Sequence, residues 1–149
     1  MTKARIRRFR ETDLDDLYAL LSDPEVMRHL EPPFTRTQAA AFLKTQGLAE
    51  EPRILAVEDA GEHFIGYVIC HAYDETGMEI GWVLGRDFWH RGIADELTEQ
   101  LVRMAASAGK DAVIECVPEQ AASRRIAQKH GFQRQPDRDG LSVYVRPCR

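Results

Sequence analysis

Three cysteines, Cys70, Cys116 and Cys148, are all that this 149-residue chain carries, and no two stand close together. An odd, scattered set supplies neither a disulfide framework nor a cysteine zinc site, so free thiols are expected. His63 and His71 stand at no chelating spacing from acidic neighbours, and no metal is expected. Long apolar runs are also missing. No stretch approaches the roughly eighteen residues that identify a membrane span, and the opening MTKARIRRFRE lacks the apolar segment of a secretory signal. A cytoplasmic protein without a membrane partner is the expectation. Excess positive charge is absent as well: the net charge is -4 and the pI about 5.7. That balance argues against nucleic acid as the main partner. Repeats and low-complexity segments are lacking, and 44% hydrophobic residues in 149 suit one domain, residues 1–149, with one sizeable core.

What is present centres on Glu79 to Ala108, EIGWVLGRDFWHRGIADELTEQLVRMAASA. Met78, Ile80, Trp82 and Leu84 alternate with Glu79, Gly81, Val83 and Gly85, the period of a strand with two unlike faces. One face is bulky and apolar; the other carries a carboxylate beside a glycine, where something could approach the backbone. From Ile93 the apolar positions fall at Ile93, Leu97, Leu101, Met104 and Ala108, one face of a helix that Gly109 ends. A helix opening directly from a turn leaves its first amide N–H groups without partners and partial positive charge at its end, which is a phosphate site. Gly92 and Ala94 keep the approach clear, and Arg91 or Arg86 could add charge. The alternative is that Gly92 only permits a tight turn. The spacing fits neither a Walker loop, which needs lysine then serine or threonine after its last glycine, nor a dinucleotide fingerprint.

Trp89-His90-Arg91-Gly92-Ile93-Ala94 after a Glu-Ile-Gly-Trp-Val-Leu strand, followed by Ala122-Ser123-Arg124-Arg125 and Lys129-His130-Gly131-Phe132, resembles the GNAT N-acetyltransferase superfamily. The nearest likeness is to the branch that includes ribosomal-protein N-terminal acetyltransferases, and it extends over nearly the whole chain.

The remaining elements agree in order. Ala4 to Phe9 forms a first strand, with Lys3, Arg5 and Arg7 on a face expected to be a solvated edge or a basic patch. Thr12 caps a helix buried through Leu14, Leu17, Tyr18 and Leu21, which Asp23-Pro24 stops. Glu25 to Leu30 makes a short helical turn, Pro32-Pro33 breaks it, and Thr35 caps a second helix carrying Ala39, Phe42 and Leu43. Strands at Arg53 to Glu58, His63 to Ala72 and Met78 to Leu84 form an antiparallel meander. The helical crossover places Ala112 to Val117 parallel to the Met78 strand. Pro118 opens a last helix, with Ala122, Ile126 and Ala127 inward. Phe132 to Gln135 and Leu141 to Val145 close the sheet through a turn at Asp137 to Gly140. The fold class is α/β: a GNAT-like domain with a mixed, mostly antiparallel sheet and helices on both faces.

The resemblance implies direct transfer of an acetyl group from acetyl-coenzyme A, as co-substrate, to a primary amine of a small molecule or a protein N-terminus. It implies that backbone amides from His90 through Arg91, Gly92, Ile93 and Ala94 to Asp95 hold the pyrophosphate. It also implies that the Ile80 to Leu84 strand splays from its neighbour, so that groups near Val83 and Leu84 meet the pantetheine. Gln120 stands where relatives often have a cofactor-holding asparagine. Arg124, with Arg125 and Lys129, could meet the 3'-phosphate or form a solvated helix face.

Transfer needs a base for the amine and an acid for the thiolate. Glu79 is the candidate base, the alternative being a solvent-facing strand residue. Many relatives carry a tyrosine in the last helix, but Ala127 occupies that place here. Ser123, matching a serine of the ribosomal-protein branch, is the candidate acid, the alternative being a surface serine bonded to its own backbone. His29, Glu31 and Phe34 lie where an acceptor would be chosen, or are ordinary loop residues. Cys116 suggests a small buried apolar residue rather than an acyl carrier. A non-catalytic acyl-coenzyme-A-binding sensor or interaction module is the alternative function, transfer of a longer acyl group a further one, and an exposed strand edge could pair in a homodimer.

Overall fold

A computed structural model describes residues 3–148; Met1, Thr2 and Arg149 lie outside the described residues. Seven strands form one sheet in the order β1-β2-β3-β4-β5-β7-β6. They are β1 (Ala4–Arg7), β2 (Ile54–Asp59), β3 (Phe64–Ala72), β4 (Gly77–Leu84), β5 (Asp111–Cys116), β6 (Gln133–Arg138) and β7 (Leu141–Arg146). Every neighbouring pair is antiparallel except β4 and β5, which α3 (Ile93–Ser107) connects. This is the mixed, mostly antiparallel sheet that the pattern of elements implied.

The other helices are α1 (Leu14–Leu21), α2 (Arg36–Phe42) and α4 (Ala121–Lys129). Alternation along the strands sends side chains to two cores. On one face Tyr67 and Val83 meet Leu17 and Leu21 of α1 and Ala39 of α2. On the other, Val68, Ile80 and Leu84 meet Leu97 and Leu101 of α3 and Ala127 of α4. Thr35 caps α2 reciprocally: its hydroxyl accepts from Gln38 N at 3.2 Å while its own N–H donates to Gln38 Oε1 at 2.8 Å.

Several expectations need correction. Thr12 is not a cap; the chain enters α1 through a 3-10 turn, Glu11–Asp13, where the Asp13 carboxylate accepts from Arg10 N at 2.7 Å. β1 is an edge of the sheet, as expected, and the Arg5 side chain stays 63% exposed, but the arginines are paired as well as solvated. Arg5 and Arg7 both converge on Glu58, whose side chain is only 2% exposed, and Arg7 also pairs with Asp13 at 2.9 Å. A buried carboxylate requires such partners. The strand ends at Arg7, and Phe9 turns into the core. In α3 the buried row is Ile93, Leu97, Leu101 and Ala105, while Met104 and Ala108 are exposed. Both Met104 and Ala105 continue the stripe, and the smaller one lies against the sheet. Pro118 stands in a turn and α4 starts at Ala121, with Ala122 exposed. The last hairpin turns on two residues, Asp139 (φ 53°) and Gly140 (φ 79°), both left-handed as a tight primed turn demands.

Candidate active site

The parallel pair is short. β4 and β5 are in register only at Gly77 with Asp111, Met78 with Ala112 and Glu79 with Val113. Beyond Glu79 the strands part, while β4 continues to Leu84 and β5 to Cys116. Gly85 N donates to Ile65 O at 2.9 Å, which fixes the phase of the β3–β4 ladder. Odd-numbered residues of β4 therefore bond β3, and Ile80, Trp82 and Leu84 turn their N–H and C=O groups toward the split. The backbone of Val83, expected to face a ligand there, is paired with Tyr67 instead. Trp82 takes that place. The phase was hidden in the sequence because alternation reports side-chain faces and says nothing of which neighbour the backbone bonds. The Leu84 carbonyl accepts from the Trp89 indole at 2.9 Å, leaving its N–H and the Trp82 groups for a ligand.

A cavity of about 530 Å³ opens at this split. Trp82, Val83 and Leu84 of β4 form its floor, the first turn of α3 one end, α4 a side, and the Glu25 to Leu30 connection another wall. At the α3 end the backbone is left-handed at His90 (φ 61°) and Gly92 (φ 78°). These two residues swing the chain so that α3 starts with no side-chain cap on its first turn. A polar side chain normally satisfies one of those orphan donors. Here the two nearby acids are otherwise engaged. Asp95 binds His130 Nε2 at 2.8 Å and Lys129 Nζ at 3.1 Å, and Glu96 accepts from Lys3 N at 3.0 Å. Burial opposes ionisation of Asp95, but the hydrogen bonds from His130 and Lys129 outweigh it and hold the carboxyl below its usual range. The amides at Gly92–Asp95 stay open to an anion. Arg86, a candidate to assist, is committed to Asp23 at 2.7 Å.

His90, Gly92, Ile93, Ala94, Asp95, Gln120, Ser123, Val83, Leu84 and His29 all line the cavity, so the structure gathers most of the residues singled out in the sequence. Arg91 packs its guanidinium over the Phe88 ring at 5.4 Å. Arg124 of α4 is half-buried, its Nε enclosed and without a hydrogen-bond partner among the described residues, and it does not line the cavity. Arg125 and Lys129 line the cavity, Lys129 with its ammonium 3.1 Å from Asp95. Glu31 is exposed, and Phe34 packs edge-on against Phe42 at 5.7 Å; neither lines the cavity. Trp82, Glu25, Arg28 and Leu30 do, and only three-dimensional pairing brings them in.

Glu79 lies at the closed end of the split, in its last paired position, outside the cavity lining. Its cross-strand partner is His71, whose Nε2 is 3.7 Å from Glu79 Oε1. That proximity corrects the expectation that His71 stands apart from acids: seven residues separate them in sequence, and the β3–β4 hairpin closes the gap. Burial pushes the Glu79 carboxyl above its usual range; His71 and Arg53 pull it down and Glu115 adds to the rise. Cys116 is buried, and burial raises its thiol, so it is no ready nucleophile.

A helix end with open amides, facing a parallel split whose edge groups lack ladder partners, suits a long ligand with a phosphate end and amides along its length. The sequence from residue 3 to residue 133 matches the family model described as an acetyltransferase (GNAT) domain. The chain belongs to the GNAT acetyltransferases. It is an acyltransferase, and acetyl-coenzyme A is its co-substrate. This GNAT chain is 31% identical over 137 residues to an uncharacterized N-acetyltransferase, YnaD, of Bacillus subtilis (strain 168), covering 87% of this chain and 79% of that protein. It superposes with a TM-score of 0.87 on a GNAT-family acetyltransferase from Bacillus anthracis, 22% identical, covering 98% of this chain and 95% of that one. RimL, a ribosomal L7/L12 alpha-N-protein acetyltransferase in complex with coenzyme A, gives 0.81 at 17% identity over 99% and 95% of the two chains. A spermidine N-acetyltransferase from Vibrio cholerae, in complex with coenzyme A and spermine, gives 0.77 at 14% over 96% and 93%. At such identities the structural likeness is one of fold.

Proposed function

We propose that the protein transfers an acetyl group directly from acetyl-coenzyme A to the primary amine of a small molecule or a protein N-terminus. The observation that carries this reading is the uncapped first turn of α3 meeting a cavity that runs along the β4–β5 split. The amides from His90 to Asp95 hold the diphosphate, with Arg124, Arg125 and Lys129 near the nucleotide end. Trp82 and Leu84 present backbone groups to the pantetheine, and Gln120 at the start of α4 supplies a further donor. The acceptor enters between the Glu25 to Leu30 connection and the split, beside His29. Its ammonium loses a proton to the Glu79 carboxylate through water, since Glu79 stands back from the cavity. The neutral amine attacks the acetyl carbonyl and forms the carbon–nitrogen bond, the carbon–sulfur bond breaks, the Ser123 hydroxyl gives a proton to the departing thiolate, and the proton that the nitrogen sheds on becoming an amide returns to the Ser123 oxygen through water. The protein works in the cytoplasm, and pairing of exposed strand edges would make a homodimer.

The test is release of coenzyme A thiol with a panel of amines that includes polyamines, amino-acid-like amines and N-terminal peptides. Acetyl transfer to at least one, with a Glu79→Gln variant that loses the rising acid limb of the pH profile, supports the reading. Tight donor binding without transfer to any amine would overturn it.

A further inference from the structure

On the sheet face that α1 and α2 occupy, a polar strip crosses the closed end of the split. Glu79 is in register with Val113, so their side chains share a face, and Glu115, two residues further along β5, lies on that face too. It stands about 7 Å further along the strand than Val113, past the last parallel pair. Glu115 is held there: the Tyr73 hydroxyl donates to its carboxylate, and the Arg138 guanidinium lies 5.0 Å from the centre of the Tyr73 ring. On the other flank of Glu79 is His71, which contacts Ala72 O through Nδ1 at 2.9 Å and meets Arg53 Nη2 at 3.2 Å. The groups facing Glu79 are thus His71 from β3, Arg53 ahead of β2, Glu115 from β5, and Tyr73 backed by Arg138 of β6.

We propose that Glu115 and His71 are positioning residues for the proposed base, Glu79, acting on its proton affinity from opposite sides of the split. This rests on the proposed function, in which the Glu79 carboxylate takes one proton from an ammonium and becomes a neutral carboxyl. A carboxylate alone on an exposed strand is a poor acceptor for such a proton. Glu115 corrects this by placing a like charge near it, which favours the protonated form. His71 and Arg53 oppose it, so that Glu79 is still ionised when the amine arrives. Burial raises Glu79, and His71, Glu115 and Arg53 act on it in the senses that this arrangement requires. The Tyr73 hydroxyl is pushed up to about 12 by burial and by its bond to Glu115, so it remains a donor that fixes the Glu115 carboxylate.

The experiment compares wild type, Glu115→Gln and His71→Asn by two readouts. The first is a carbon-13 carboxyl titration, with the Glu79 signal assigned by its loss in Glu79→Gln. The second is the pH dependence of kcat/KM for an active amine. The Glu79 titration is expected to move to lower pH in Glu115→Gln and to higher pH in His71→Asn, with the acid limb of kcat/KM following in the same directions. A Glu79 titration unmoved in both variants, or moved the opposite way in either, overturns the inference. A titration that moves as expected while the kinetic limb stays fixed sustains the field and removes Glu79 as the base. That outcome contradicts the proposed mechanism separately.

Discussion

His130 Nε2 lies 2.8 Å from Asp95 Oδ1, joining the residue after α4 to the first turn of α3. The same imidazole reaches Glu99 through Nδ1, and Glu99 also receives Arg146 at 3.1 Å. Both helices wall the cavity, so this contact ties its two walls together at the start of α3. Replacing His130 with alanine is expected to cost about 1–2 kcal/mol of stability and to weaken coenzyme A binding, read by denaturant unfolding and by calorimetry. The pH dependence has a definite sign. For Asp95 and Glu99 burial opposes ionisation, and hydrogen bonds from His130 and from Lys129 or Arg146 hold both carboxyls below their usual range. Their contribution is present above the ordinary carboxylate pKa of about 4 and lost as pH falls through the lower folded values. His130→Ala should flatten that acid loss.

Gly92 invites a substitution that separates strain from bulk. A Cβ there would meet only Lys3 Nζ, at 3.7 Å, so space is not the obstacle; φ of 78° is. An ordinary L residue in the left-handed region costs about 1–2 kcal/mol, and asparagine visits that region more readily. Gly92→Asn should therefore keep more donor affinity than Gly92→Val, measured by calorimetric titration with coenzyme A. Equal affinities across glycine, asparagine and valine would show that the turn does not hold the ligand.

Ser123→Ala tests the proton donor. Loss of a general acid lowers turnover by on the order of 10²-fold, and Ser123 is not a core residue, so folding should persist. The expected result is a fall in kcat with the donor KM little changed. A rise in KM at constant kcat would make Ser123 a binding group instead.

Leu97 is fully buried where α3 crosses the sheet. Leu97→Ala should cost about 2–5 kcal/mol by leaving a cavity, visible as a lowered midpoint in urea unfolding. Met104→Ala on the same helix, exposed by 37%, should cost far less, although its spacing from Leu97 made it look buried.

Such pairs show what a linear pattern can and cannot tell. Alternation from Met78 to Leu84 and the stripe from Ile93 were enough to place β4 and α3, because each reports a period that one element imposes on its own residues. The motif around Gly92 marked the uncapped start of α3 for the same local reason. Long-range relations were hidden. Arg5 and Arg7 read as an edge face, and only β2 shows that Glu58 lies beneath them and pairs with both. His71 and Glu79 become neighbours only through the β3–β4 register. Trp82 replaces Val83 at the split because ladder phase is a property of two strands together. Thr12 falls inside the 3-10 turn, and Asp13 at the start of α1 gives its carboxylate to Arg7, six residues back, and to Arg10 N.

The central claim is that open amides at the start of α3 and along the free edge of β4 receive the donor. Titrating nitrogen-15-labelled protein with coenzyme A measures this directly, amide by amide. The largest shifts are predicted at Gly92, Ile93, Ala94 and Asp95, with a second group at Trp82 and Leu84 and little change at Val83. Saturable binding that leaves the amides from Gly92 to Asp95 unmoved would contradict the account.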